Sequence, residues 1–353
     1  MNFPKRVRAA RAAWRSKLSF GLLLYALSST DLSFAETAAP APVAQDSCEI
    51  LSRGPGVDLA GTEVTLHTQL EGILKDLKDK NFEGFAKYFH PRAKVKRDIG
   101  EKLESIINNR YEAPLQFTVF RVWRLKTPAA GKAIFNDCPE AEGARIVGSY
   151  GYEKQYAVWI QIMGQNELGR LIFSIAPDKG KDLIAGFRIQ QWTQTGDDWR
   201  VWANRGELAE SKQNAREAYF AYDISQKLVD GKDLVVYPVQ AQLLRKRDEM
   251  FTQAKLLAAM NKDLGVDSIA YIGTLLAREG SGLFIREYLK AEKATTELHD
   301  MCLKRGRDLK AKSWLKESQG LRCNFLFKGM DPQKDSALGG FYFTPEDLKL
   351  SKK

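Results

Sequence analysis

The residues able to do chemistry are few and scattered. Three histidines occur among 353 residues. His90 closes an apolar run directly before Pro91. An imidazole titrates near neutrality, which suits a general base. The competing role is a helix-terminal side chain bonded to the last carbonyls, and no partner carboxylate is identifiable beside it in the sequence. His67 lies next to a core leucine and His299 in a basic stretch, neither with an evident role. A second group of candidates lies on strand-like segments: Arg121, Trp123, Tyr152, Trp159, Gln161, Gln190 and Trp192, with Tyr150 and Arg188 nearby. Arg121 and Trp123 share the parity of Phe117 and Val119, so a regular strand puts all four on one side. Apolar walls with a few convergent polar groups make a ligand pocket. The simpler arrangement is one core face and one solvated face.

Other chemistries find no footing. There is no G-x-x-x-x-G-K-[ST] phosphate loop, no G-x-S-x-G elbow and no H-E-x-x-H pair. The cysteines, Cys48, Cys138, Cys302 and Cys323, show no C-x-x-C spacing, and the histidines do not cluster, so neither zinc nor another cofactor is expected. A basic stretch carries Lys304, Arg305, Arg307, Lys310, Lys312 and Lys316. It suits either an anionic envelope surface or a solvated helix face.

The elements that must position these residues follow from length and pattern. The composition, 44% hydrophobic and 28% charged, is that of a folded chain of about two domains. Residues 1–17 are basic, Leu18 to Leu27 are apolar, and Ser33-Phe34-Ala35 offers a cleavage site, the layout of a secretory signal peptide over 1–35. Ten apolar residues are too few to cross a bilayer, so no membrane span is expected. The leader holds six cations against Asp31, which is half of the +10 net charge. What remains is too mild to call for a nucleic acid partner. An Ala/Pro tether spans 36–60. A periplasmic or extracellular location favours disulfides. Four cysteines allow three connectivities, and Cys48–Cys138 with Cys302–Cys323 keeps each bridge inside one expected domain.

Leu66, Leu70, Ile73, Leu74 and Leu77 predict an amphipathic helix over 62–80. A short helix from Asn81 turns Phe82, Phe85, Ala86 and Phe89 inward, and a third runs from about Asp98 to Asn108. Strands follow at 115–125, 144–150, 155–163, 169–176 and 183–193, joined by short Gly-containing turns, as in an antiparallel meander. Residues 194–206 read as a connecting loop. A helix over 207–229, a strand over 233–239, a helix over 241–263, a hairpin turned at Gly280-Ser281-Gly282, a basic helix over 292–316 and two closing strands complete the chain. That order is compatible with a split βαβ, ferredoxin-like two-layer sandwich.

The stretch Lys80-Asn81-Phe82-Glu83-Gly84-Phe85-Ala86-Lys87-Tyr88-Phe89-His90-Pro91-Arg92-Ala93-Lys94-Val95 resembles the passage where the second helix meets the first short strand in the nuclear-transport-factor-2-like, or cystatin-like, superfamily. That superfamily includes ketosteroid isomerase and polyketide cyclases. The resemblance covers roughly residues 60–200. It implies an α+β cone-shaped half-barrel over 61–205, with a pocket between helices and curved sheet and His90 near its mouth, followed by a second α+β domain over 206–353. The isomerase base position falls on Arg97, a cation, and only a slip of one residue brings in Asp98. The resemblance therefore does not carry isomerase chemistry onto this chain.

The expectation is an exported, non-catalytic module that binds a small apolar or aromatic ligand, or an envelope or protein partner, in the half-barrel pocket. The alternative is an exported isomerase, lyase or hydrolase using the same pocket, with His90, Asp98 or Arg121 as working groups. Dimerisation through the sheet face would also explain the strand aromatics.

Overall fold

Leu66, Leu70, Ile73 and Leu77 recur at three- and four-residue spacing, and all four are buried on one side of α1 (Val64–Lys78). The computed structural model describes residues 48–53, 63–93, 98–126, 135–138, 145–147, 152, 154–231, 234–277, 280–291, 293–315 and 320–348. The expected leader, Arg97, Tyr150 and Lys316 lie outside these residues. Two 3₁₀ segments, Glu83–Tyr88 and Pro91–Ala93, follow α1. Phe82, Phe85 and Phe89 are buried as expected, but Ala86 is exposed, because three residues per turn rotate it outward. Helix α2 spans Ile99–Arg110 and buries Leu103 and Ile107.

Part of the expected tether is a strand. Residues Cys48–Arg53 form β1 and pair with β2 (Gln116–Lys126). The short pair β3 (Phe135–Asp137) and β4 (Arg145–Val147) comes next, then β5 (Lys154–Met163), β6 (Leu168–Asp178) and β7 (Lys181–Gln191). Strands β1-β2-β5-β6-β7 form a five-stranded antiparallel sheet in that order.

The parity expected along β2 breaks at Phe120. Val119 pairs with Ile160 and Arg121 with Trp159, so Phe120 is an extra residue in the ladder. Phe117, Val119 and Val122 therefore face α1 and α2, whereas Trp123 and Leu125 face the other way. The helix-facing core also takes Val158, Ile160, Ile162, Leu171 and Phe173. The opposite face, with Trp123, Trp159 and Ile172, packs into a core shared with the C-terminal half. Both faces of the sheet thus carry buried side chains, one against α1 and α2 and the other against the C-terminal half.

The C-terminal half corrects several boundaries. The expected loop over 194–206 contains the start of α3 (Trp199–Ser211), and the single expected helix over 207–229 is really the end of α3 and all of α4 (Ala215–Leu228). Gln213 between them has a φ of 57°, and Asn214 caps α4 by accepting from Glu217 N. The strand expected over 233–239 shrinks to β8 (Val235–Val236) and pairs with β4. The helix expected over 241–263 breaks at Lys255, with a φ of 47°, into α5 (Val239–Gln253) and α6 (Leu256–Leu264). Strands β9 (Ile269–Ala277) and β10 (Gly280–Leu289) form the hairpin, with Gly280 to Gly282 inside β10 and not at its turn. Helix α7 (Thr295–Ala311), β11 (Leu321–Phe327) and β12 (Gly339–Phe343) complete the fold.

The second sheet has the order β12-β11-β10-β9, with β10 and β11 parallel and the outer pairs antiparallel. It lacks the first strand of the expected split βαβ order, because β8 sits in the small sheet with β3 and β4. The class is α+β: helices, a five-stranded antiparallel sheet and a second, mixed sheet. Both expected cysteine pairs are bridged, Cys48–Cys138 and Cys302–Cys323, with Cα–Cα distances of 5.1 and 5.8 Å. The second ties α7 to β11.

Candidate functional site

The predicted sheet residues do come together. Trp123 and Trp159 meet edge to face, 4.8 Å between centroids, and Arg121 lies opposite Trp159. Gln161 lies opposite Arg170, whose guanidinium stacks on Trp159 at 4.7 Å and on Trp192 at 3.2 Å. This is no open pocket, however. Trp159 is 1% exposed and Gln190 2%. Leu228, Asp230 and Tyr237 pack over this face. Gln190 Nε2 donates to Leu228 O at 2.6 Å, Arg188 donates to Asp230 O at 3.4 Å, and Tyr237 packs against Trp192. These side chains lie on the sheet face turned away from α1 and α2, not in the expected space between helices and sheet, and the chain's own residues pack over them.

His90 and Asp98 are not brought together. His90 is 4% exposed. Arg92 N donates to its Nδ1 at 3.1 Å, so the neutral ring carries its proton on Nε2. That nitrogen faces Asp178 Oδ1 at 4.0 Å, and Tyr152 Oη stands 3.1 Å from both ring nitrogens. Asp98 instead precedes α2 and pairs with Lys102 at 2.7 Å. Sequence reasoning missed Asp178 because the turn after β6 returns it to His90 from 88 residues away.

Two cations of the expected basic helix are held in ion pairs. Lys304 pairs with Asp308 at 2.8 Å, and Arg305 is held on Glu287 at 2.7 Å.

A denser polar cluster joins α4 to β9. Tyr219, Asp223 and Lys227 recur every four residues on one side of α4. Tyr219 Oη donates to Ile272 O at 2.6 Å, Asp223 accepts from Thr274 N at 2.7 Å, and Lys227 Nζ donates to Thr274 O at 2.6 Å. Asn261 of α6 does the same for Ile269, accepting from its N and donating to its O. Strand β9 is an edge strand, and these side chains bond the main-chain groups that a further strand would have met. Burial pushes the Asp223 carboxyl up, but the charge of Lys227 and hydrogen bonds from Lys227 and Thr274 outweigh it and hold the group below its usual range.

Beside this cluster lies a cleft of about 510 Å³. Its floor is Phe220, Ala221 and Ile224 of α4; Trp202 and Arg205 of α3 form one wall, and Ser281, Ser313 and Trp314 another. A smaller hollow of about 70 Å³ shares Phe220, Ile224, Ser281 and Trp314 with it and reaches Thr274, Gly282 and Leu283. The volume falls in the usual range for small-ligand sites, about 300–1,000 Å³. Each indole is pinned. Trp314 Nε1 donates to Asp263 Oδ2 at 2.9 Å and Trp202 Nε1 to Gln194 O at 3.1 Å. Each also carries a guanidinium on its ring, Arg216 at 5.0 Å and Arg205 at 4.4 Å.

A second depression, lined by Thr65, Lys87, Tyr88 and Asp182, is chemically closed on itself. Thr65 bonds Asp182, and Lys87 and Tyr88 are both held by Asp76. Trp202 and Arg205 fall within the expected loop over 194–206, while Phe220, Ala221 and Ile224 fall within the expected helix over 207–229. The cap at Asp198, which accepts from Arg200 N and Val201 N, was the available sign of a helix start.

No family model, no curated protein and no solved structure matches the chain.

Proposed function

We propose that the chain is an exported, non-catalytic binding protein whose ligand site is the cleft between α3, α4 and the Trp314 turn. The observation that carries this reading is the cleft itself: an apolar floor with two pinned indole–guanidinium stacks, beside a sheet whose own faces are full. Export, to the periplasm or beyond, is supported by the leader pattern and by two disulfides. For residues 61–205 we retain the nuclear-transport-factor-2-like half-barrel. Its support is the order of elements, two helices with two 3₁₀ segments between them, packed on one face of an antiparallel sheet. In this chain that half-barrel is a scaffold, and its inner space is core.

The test is a thermal-shift screen of the full chain against small metabolites, repeated on Ser281→Trp, which fills the cleft from its rim. Ligands that bind the native state raise Tm by mass action. The expected result is at least one compound that stabilises the native chain and loses its effect on Ser281→Trp. If every stabilising compound acts equally on both, the cleft is not the site.

A further inference from the structure

Resting on that reading, we infer that the cleft takes an amphipathic anion, an aliphatic chain ending in one carboxylate or phosphate, with Arg216 receiving the charge. The two arginines at the cleft differ. Arg205 is neutralised by Asp197 at 2.6 Å. Arg216 is exposed, and among the described residues no carboxylate pairs with it; its guanidinium is held only by the Trp314 ring. The one acid lining the cleft, Glu217, is engaged by Asn214 Nδ2 at 2.7 Å. The cleft therefore offers a cation with no ion-pair partner among the described residues, set on an indole, with Ser281 and Ser313 also in the lining, while Glu217 keeps its own charge on the next residue of α4. Anions meeting a planar guanidinium gain paired, charge-assisted hydrogen bonds.

The floor selects the rest of the molecule. Phe220, Ala221 and Ile224 give an apolar strip, and Phe220 and Ile224 also line the 70 Å³ hollow. That hollow has room for the end of a chain and not for a ring system. A flat aromatic ligand would need an indole face to stack on. Trp314 is otherwise buried and its accessible face is taken by Arg216, while Arg205 lies over Trp202. A flexible aliphatic tail needs no such face.

The experiment titrates the full chain with decanoate, decyl phosphate, decyl maltoside and acetate, each below its micelle concentration, by calorimetry and tryptophan fluorescence. Decanoate and decyl phosphate are expected to saturate at one per chain, and their ratio tells a fatty-acid source from a phosphorylated-lipid source. Decyl maltoside, which lacks the charge, and acetate, which lacks the tail, should bind more weakly. Arg216→Gln, an exposed change that leaves the fold intact, should weaken both decyl anions about fivefold and leave decyl maltoside unchanged. Arg216→Lys, which keeps the charge but not the paired geometry, should restore only part of the loss. Equal binding of decyl maltoside and decanoate, or anion binding unmoved by Arg216→Gln, overturns the inference while leaving the cleft as the site. Failure of all four probes also overturns it, and the Ser281→Trp screen then decides whether the cleft reading falls too.

Discussion

The Asp223 carboxylate accepts from both the amide and the hydroxyl of Thr274, at 2.7 and 2.6 Å, across 51 residues of chain. One buried side chain of α4 thus stands in for the neighbour that edge strand β9 lacks. Lys227 and Arg247, at 2.6 and 3.7 Å, balance its charge.

Removing that charge should be costly. Asp223→Asn leaves two cations facing a neutral amide and weakens the hold on β9, a loss of about 3–5 kcal/mol. Denaturant titration should show it as a lower midpoint. Tyr219→Phe, which removes one hydrogen bond to Ile272 O, should cost about 1 kcal/mol.

The same carboxylate sets an acid limit. Its pKa is depressed in the folded state, so its contribution is complete above the unfolded value, about 3.9, and is lost as pH falls through the folded value. The native chain should lose stability steeply below about pH 4. The Asp223→Asn variant, less stable at neutral pH, should show a shallower acid limb. A limb of unchanged slope would mean that other carboxylates govern acid unfolding.

Gly206 allows α3 and α4 to approach. A Cβ there would lie 2.6–2.8 Å from ring carbons of Tyr222. In an exposed helix Gly→Ala gains about 1 kcal/mol; here the clash should reverse the sign to a loss of about 1–3 kcal/mol. Because α3 carries Trp202 and Arg205, Gly206→Ala should also weaken binding in the cleft. Melting temperature and ligand titration of the one variant test both effects.

Cys302 and Cys323 are both fully buried and lie 21 residues apart. Replacing the pair with alanines should cost about 3 kcal/mol on the loop-entropy account. Thiol labelling after treatment with reductant should be slow in the native chain and fast in denaturant. Rapid labelling without denaturant would show that the bridge is accessible.

Export predicts processing after Ala35. The mass of the protein recovered outside the cytoplasm should match a chain beginning at Glu36. Recovery of the full-length chain from the cytoplasm alone would remove the compartment argument.

Much of the scaffold was legible. The spacing of Leu66, Leu70, Ile73 and Leu77 located α1, because a half-buried helix must show its period; alternation located β5, and the short Gly-containing turns marked off β6 and β7. The cysteine pairing followed from keeping each bridge within one half of the chain. The bulge at Phe120 left no mark, since an extra residue in a strand changes no hydropathy, yet it moved Arg121 and Trp123 to the opposite face. Helix α3 was obscured because Val201 and Leu208 are exposed apolar residues that blur its pattern. The cleft was not legible at all. It joins Trp202, Arg216 and Trp314 across more than a hundred residues, and only the packing of α4 beside the mixed sheet brings them together.

Sealing β9 with helix side chains has a consequence for behaviour at high concentration. Sheets polymerise by recruiting strands at open borders. At this border the template is spent on Tyr219, Asp223, Lys227 and Asn261, so fibril growth through it requires α4 and α6 to peel away first. Substitutions that loosen these contacts should therefore convert a loss of stability into aggregation.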